Sequence, residues 1–258
     1  AAPLDESELE THHGDRIEES VRGGWDRRAR DVVFENQRRL GALVLTRELV
    51  SDPDREAIVD ALLHGVRREG LGLLSWSPAA HRLRERLDFL HRLDADAWPA
   101  VDDSSLLDQL EDWLVPRLAG ASRRRDLERI DVRDALGGLL DWRQNRDLDR
   151  LAPTHLTVPS GSRIPIDYAA ESGPVLAVRL QEMFGLDETP RVGGGEVPLV
   201  IHLLSPAHRP VQVTSDLASF WAEGYAAVRK ELRGRYPKHE WPEDPTAAAP
   251  TKRAKRRS

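Results

Sequence analysis

Between Leu204 and Asp244 the residue choice stands apart from the rest of the chain. Arg209, Arg229, Lys230, Arg233, Arg235, Lys238 and His239 are interleaved with Phe220, Trp221, Tyr225, Tyr236 and Trp241. Cations neutralise phosphates and exposed rings stack on bases, and proteins that hold single-stranded nucleic acid combine the two. Arg229 and Arg233 lie four apart and share a helix face, with Arg235 just past Gly234. The helical spacing of Phe220, Trp221 and Tyr225 points to a core stripe rather than a stacking platform. For Tyr236 and Trp241, in a proline-punctuated basic loop, core and platform are equally open.

Elsewhere the residues assemble no reaction centre. Gly193-Gly194-Gly195 leads into an expected strand and no Lys follows it, so it reads as a turn and not as a phosphate-binding loop. Ser160-Gly161-Ser162 sits in an expected hairpin turn with no base at a recognisable spacing. His81 and His91 are too far apart to chelate from one helix face, and His202 and His208 flank a turn without a carboxylate at ligand spacing. Asp141, Asp147, Asp149, Glu171, Asp187 and Glu188 form no acid–base pair. The chain has no cysteine, which excludes disulfides and thiolate metal sites and leans towards a reducing, cytoplasmic setting. No apolar run is long enough for a bilayer-spanning helix, so no membrane partner is expected. The start, Ala1-Ala2-Pro3-Leu4, lacks Met and a signal-peptide layout, as expected of a piece of a longer protein.

The charge is asymmetric. The net charge is −6, yet residues 226–258 hold ten Lys/Arg against four Asp/Glu, a local +6 that leaves −12 for the remainder. Of 38 basic residues only Lys230, Lys238, Lys252 and Lys255 are lysine, so 34 are Arg. General Arg abundance is what a GC-rich genome writes, and only the clustering at one end argues for phosphate.

The elements that must carry these residues fall into blocks. Residues 1–50 read as a three-stranded meander over about Ile17–Trp25, Asp31–Arg38 and Leu40–Glu48. Residues 51–150 read as a helical connector. Its helices are expected to start at Asp52-Pro53 and at Ser77-Pro78, to run over Ser104–Leu118, and to start again at Asp131. Residues 151–245 return to strands around the turn Pro159–Ser162 and over Val197–Leu204 and Pro210–Thr214, with a short helix over Val175–Phe184. A helix opening at Asp216 follows, and residues 246–258 read as a disordered basic tail. The expected class is α+β: a truncated small β-barrel, a helical connector, then a small curved sheet or barrel with a C-terminal helix.

Long strings then resemble one family. Leu203-Leu204-Ser205-Pro206-Ala207-His208-Arg209-Pro210-Val211-Gln212-Val213-Thr214, Asp216-Leu217 with Phe220-Trp221, and Gly234-Arg235-Tyr236-Pro237-Lys238-His239 with Trp241-Pro242-Glu243-Asp244-Pro245 are similar to the C-terminal signature of the bacterial HrpB family of DExH-type ATP-dependent RNA helicases. Ala152–Leu156 through Ser160-Gly161-Ser162 to Asp167-Tyr168, Val178–Glu182 and Arg39–Leu43 resemble it too. The resemblance implies a parent with two RecA-like motor domains, then winged-helix, helical-bundle and oligonucleotide-binding-fold domains and a C-terminal extension. Residues 1–50 would be the last strands of the oligonucleotide-binding-fold-like barrel. ATP and Mg²⁺ would belong to the parent's motor, since this chain has no Walker lysine, acidic box or arginine finger. The expected role is to bind or guide single-stranded RNA, or another nucleic acid, for that motor. The alternative is a protein-interaction module that docks the helicase on a partner.

Overall fold

The computed structural model describes residues 6–252. The chain forms two compact units, Ala1–His81 with Val101–Leu139, and Arg82–Ala100 with Leu140–Ser258. These divisions do not follow the blocks expected from the sequence, because each unit takes part of the helical stretch.

In the first unit, α1 (Glu6–His13) precedes an antiparallel meander of β1 (Ile17–Asp26), β2 (Asp31–Leu40) and β3 (Leu43–Leu49). Asp26 closes the first turn by accepting from the amides of Arg28 and Ala29 at 2.8 and 2.7 Å. The sheet is open, the three-stranded meander expected from the sequence, and no closed barrel is present among the described residues. Three strands curve too little to close on themselves.

Gly23 and Trp25 of β1 pair with Phe34 and Val32 of β2, which puts all four on one face. That face meets α2 (Arg55–Glu69), where Gly65 lets the Trp25 ring lie directly on the helix backbone. The indole N–H of Trp25 donates to Glu69 Oε1 at 2.8 Å, and Arg30 Nε donates to the other oxygen at 2.7 Å. Asp54 caps α2 by accepting from the Ala57 amide, two residues later than the expected cap at Asp52. Gly70, at φ +88°, ends it, and Ile58, Leu62 and Val66 form its buried stripe.

The helix α3 (Pro78–Leu93) opens as expected, with Ser77 Oγ accepting from the Ala80 amide at 3.1 Å. The long helix expected over Ser104–Leu118 is instead α4 (Asp103–Asp108), α5 (Leu110–Trp113) and a 3₁₀ turn at Val115–Arg117. The buried Trp113 donates its indole N–H to the Leu106 carbonyl at 2.9 Å, taking an acceptor that a continuous helix would use, and Pro116 offers no amide. A short α6 (Arg124–Leu127) follows. The helix expected from Asp131 is also divided. Asp131 does cap α7 (Val132–Gly137), but Gly137-Gly138 ends it and Asp141 caps a new helix, α8 (Trp142–Leu151), in a reciprocal box with Gln144.

The second unit holds an open sheet of β4 (His155–Thr157), β5 (Arg163–Asp167), β6 (Val175–Arg179), β9 (Val200–Leu204) and β10 (Pro210–Thr214). The five strands lie in the order β10-β9-β6-β5-β4. A small ribbon of β7 (Arg191–Val192) and β8 (Val197–Pro198) turns at Gly193–Gly195. The helix expected over Val175–Phe184 is wrong. Val175–Arg179 is a strand parallel to β9, followed by a 3₁₀ turn at Leu180–Glu182. Val175, Leu176 and Val178 are buried while Ala177 is exposed, and an apolar run this short does not separate strand from helix in sequence.

Asp216 caps α9 (Leu217–Ser219), and the chain passes through a π turn at Phe220–Gly224 into α10 (Tyr225–Arg235). Phe220, Trp221 and Tyr225 are buried against one another, with Trp221 5.0 Å from Phe220 and 5.4 Å from Tyr225 between ring centres. Residues 246–252, expected as part of a disordered tail, are held in place. The Gly185 amide donates to the Pro245 carbonyl and the Thr251 amide to the Gln181 carbonyl, each at 2.9 Å. Residues 253–258 lie outside the described residues.

The docking of β1 on α2 is testable. A Cβ at Gly65 would come within 2.3 Å of the Trp25 ring. An exposed helical Gly→Ala change gains about 1 kcal/mol from propensity. Gly65→Ala should instead destabilise the first unit by about 1–3 kcal/mol in urea unfolding, through overpacking.

Candidate nucleic-acid interface

Because β6 and β9 run parallel, their carboxyl ends leave the sheet on the same side, with Arg179 opposite Leu204. Two turns leave from there. One is Leu180–Glu182. The other spans Ser205–Arg209, where the Ser205 amide donates to the Arg209 carbonyl at 2.8 Å and Ser205 Oγ accepts from the Arg209 amide at 3.1 Å. The end of α10 reaches the same place, since the Tyr236 hydroxyl comes within 3.5 Å of Ser205 Oγ. The chain then folds back. The Trp241 indole N–H and the His239 amide both donate to the Tyr236 carbonyl, at 2.9 and 3.1 Å, and Gln181 Nε2 donates to the Glu240 carbonyl at 3.2 Å.

The fold thus brings Arg209, Tyr236 and His239 together beside Arg179, with Lys238 next to them in the chain. Burial and then the nearby Arg179 charge hold the His239 pKa below its ordinary value, which favours neutral imidazole. Tyr236 is half-buried, and Trp241 is buried with its N–H satisfied. In this conformation Trp241 packs inside the loop and Tyr236 shows only part of its ring.

The cations on α10 divide by partner. Arg229 is half-buried, donates from Nε to the Trp241 carbonyl at 2.9 Å and pairs with Glu243 at 3.2 Å. It serves the fold. Arg235 is exposed with a Glu231 partner at 3.2 Å, a surface pair worth little. Arg209, Lys230, Arg233 and Lys238 are exposed and make no ion pair among the described residues.

Beneath this rim lies a network that the spacing of residues did not reveal. Glu182 is 3% exposed. Its Oε2 accepts from the hydroxyls of Ser160, at 2.7 Å, and Ser162, while Oε1 accepts from Arg179 Nε at 2.8 Å. Burial alone would raise its pKa, but the two hydroxyls and the Arg179 guanidinium outweigh it and hold the carboxyl below the usual range. A carboxylate so fully engaged is a structural anchor and not a free base. Both of its partner segments stood in the sequence as motif strings, and nothing in a separation of twenty residues announced that they meet.

The sign of the pH effect follows from the lowered pKa. The network's contribution is present in full above the ordinary Glu pKa of about 4.3 and is lost as pH falls through the lower folded value. Glu182→Gln should cost about 1–3 kcal/mol at neutral pH, because donors lose their charged acceptor. The two stability curves should converge below about pH 4 in urea titrations followed by circular dichroism.

Comparison with known proteins agrees on one family. The family model described as "ATP-dependent helicase C-terminal" matches residues 113–245. The ATP-dependent RNA helicase HrpB of Escherichia coli K12 is 44% identical over 246 residues, 94% of this chain and 30% of the relative. The crystal structure of the E. coli DExH-box NTPase HrpB superposes with a TM-score of 0.77 at 43% identity, over 98% of this chain and 31% of that one. A second crystal structure, of the Escherichia coli DEAH/RHA helicase HrpB, gives 0.67 at 42% identity, over 88% and 29%. The chain therefore spans under a third of the length of these relatives. With more than half of its residues matched by the family model, the chain belongs to the HrpB ATP-dependent helicase C-terminal family.

Proposed function

We propose that this chain is an accessory region that grips or guides single-stranded RNA for a helicase motor carried elsewhere in a longer protein, in a cytoplasmic setting. One observation carries the reading. Exposed cations without carboxylate partners among the described residues, Arg209, Arg233 and Lys238, lie in the segments that meet with Tyr236 and His239 where α10 ends beside the carboxyl ends of β6 and β9, and Lys230 is exposed in the middle of α10. Unpaired cations attract phosphate without first giving up an internal partner. Arg229 and Trp241 are read as scaffold that shapes the loop. Among the described residues no helix is long and apolar enough to cross a membrane.

ATP and Mg²⁺ do not fit this chain's residues. All three glycines of Gly193–Gly195 have positive φ, the turn leads to β8 rather than to a helix, and no Lys follows. We assign nucleotide hydrolysis to the motor domains of the intact protein, which are this region's expected partners. Purified chain incubated with ATP and Mg²⁺ should release no phosphate above a buffer blank, and measurable turnover would contradict the assignment.

The RNA reading is tested by fluorescence anisotropy of a labelled single-stranded oligonucleotide across a salt series. The chain is compared with a version ending at Lys252, which removes the basic residues 253–258 but keeps the bonded strap. Contacts from Arg209, Arg233, Arg235 and Lys238 predict a log–log slope of roughly −3, at about −0.7 per contact. Arg233→Ala should reduce that slope by about 0.7 and weaken all sequences alike. Loss of all low-salt binding in the shortened chain would remove the ordered surface from consideration and favour docking of a protein partner.

A further inference from the structure

The chain has seven Trp residues. Trp25, Trp98, Trp113, Trp221 and Trp241 are buried and Trp76 is half-buried. Trp142, by contrast, is 67% exposed. It opens α8 immediately after the Asp141 cap, and two guanidinium groups stand over its ring, those of Arg143 at 5.3 Å and Arg146 at 5.2 Å from the centroid. Leaving so large an apolar surface in water is unfavourable, and five of the other six indoles donate their N–H to a neighbour in the fold.

The helix and its cap carry three Arg and three Asp, but the carboxylates are occupied. Asp141 accepts from the amides of Arg143 and Gln144 at 2.7 and 2.8 Å. Asp147 pairs with Arg146 at 3.2 Å and Arg150 at 3.6 Å, and Asp149 with Arg86. Arg143 has no carboxylate partner among the described residues. An exposed indole flanked by guanidinium groups, one of them without a carboxylate partner, is the pairing that takes a nucleobase on the ring, once those groups swing aside, and its phosphate on the cation. An apolar protein groove would ask for apolar neighbours, and residues 141, 143, 144, 145 and 146 are all polar or charged.

We infer that Trp142, with Arg143 beside it, is a second contact for single-stranded nucleic acid: a stacking platform on α8, separate in sequence from the basic C-terminal end. Its ligand class rests on the reading proposed above.

The test uses the full chain and a short fluorescein-labelled oligouridine in low salt. Trp142→Ala should weaken binding about 5- to 100-fold with an unchanged salt slope, and Trp142→Phe should restore most of the loss, as a stacking role requires. Arg143→Ala should lower the slope by about 0.7. Thermal unfolding of each variant should match the parent, since the ring is exposed. If Trp142→Ala binds as the parent does while Arg233→Ala is impaired, the platform is wrong and the C-terminal reading stands. If Trp142→Ala is impaired while Arg233→Ala is not, the platform stands and the C-terminal surface falls. If the parent chain does not bind the oligonucleotide at all, both fall, and Trp142 belongs to a protein surface.

Discussion

A carboxylate removed from water must be given donors, and in the second unit of this chain that requirement falls on Glu182. Its two oxygens draw in the hydroxyls of Ser160 and Ser162 from the β4–β5 hairpin turn and the guanidinium of Arg179 from the end of β6. The same turn is bound on its backbone. The Ser160 amide donates to the Glu182 carbonyl at 3.3 Å and the Thr251 amide to the Gln181 carbonyl at 2.9 Å. The hairpin and the C-terminal strap therefore meet the end of the central strand at two consecutive residues, Gln181 and Glu182. Because each of those bonds has direction, the turn that follows β6 has little freedom, and the loop at Tyr236–Trp241 is set against a fixed neighbour. The charge on Glu182 is the condition for this: protonated, it would accept less strongly from all of its donors.

Within that frame, cations do two different jobs. Arg229 and Arg179 are spent on internal acceptors, the Trp241 carbonyl and Glu182, and shape the loop. Arg209, Arg233 and Lys238 stand outside it in solvent. Counting Arg in the sequence cannot separate these classes, because the distinction is whether an acceptor lies within reach. The same division explains the aromatic residues. The π turn at Phe220–Gly224 sets Phe220, Trp221 and Tyr225 on the inner side, and Gly224 accommodates the Phe220 ring where a Cβ would sit 2.9 Å from it. Trp241 is drawn in by its bond to the Tyr236 carbonyl, while Tyr236 keeps one edge exposed.

How far the fold was legible depended on whether the signal was local. Alternation marked β1 to β3 to within a few residues, and cap residues marked α3 and α7, because both signals lie inside one element. The helix expected over Val175–Phe184 differs from the structure because the short strand β6 runs straight into the buried 3₁₀ turn at Leu180–Glu182, so one apolar run spans two elements. The long helices were misread because their breaks come from a tertiary competitor, the Trp113 indole, and from the small residues Gly137-Gly138. The strap at 246–252 has the composition of a tail, and only its bonds to Gln181 and Gly185 make it part of the fold. At the candidate interface the sequence singled out a neighbourhood by its clustered cations and its family strings. It could not supply the partition of Arg229 from Arg233, or the meeting of Ser160 with Glu182, since both depend on contacts made across the chain.

The central claim is that ordered residues at the ends of β6, β9 and α10 face single-stranded RNA. Photo-crosslinking tests it most directly. A single-stranded oligonucleotide carrying 4-thiouridine is irradiated with the full chain at low salt, and the adducts are located by mass spectrometry. The account predicts adducts on peptides that contain Arg209, Arg233 and Tyr236–Lys238. Adducts confined to residues 253–258, or spread over the chain without preference, would contradict it.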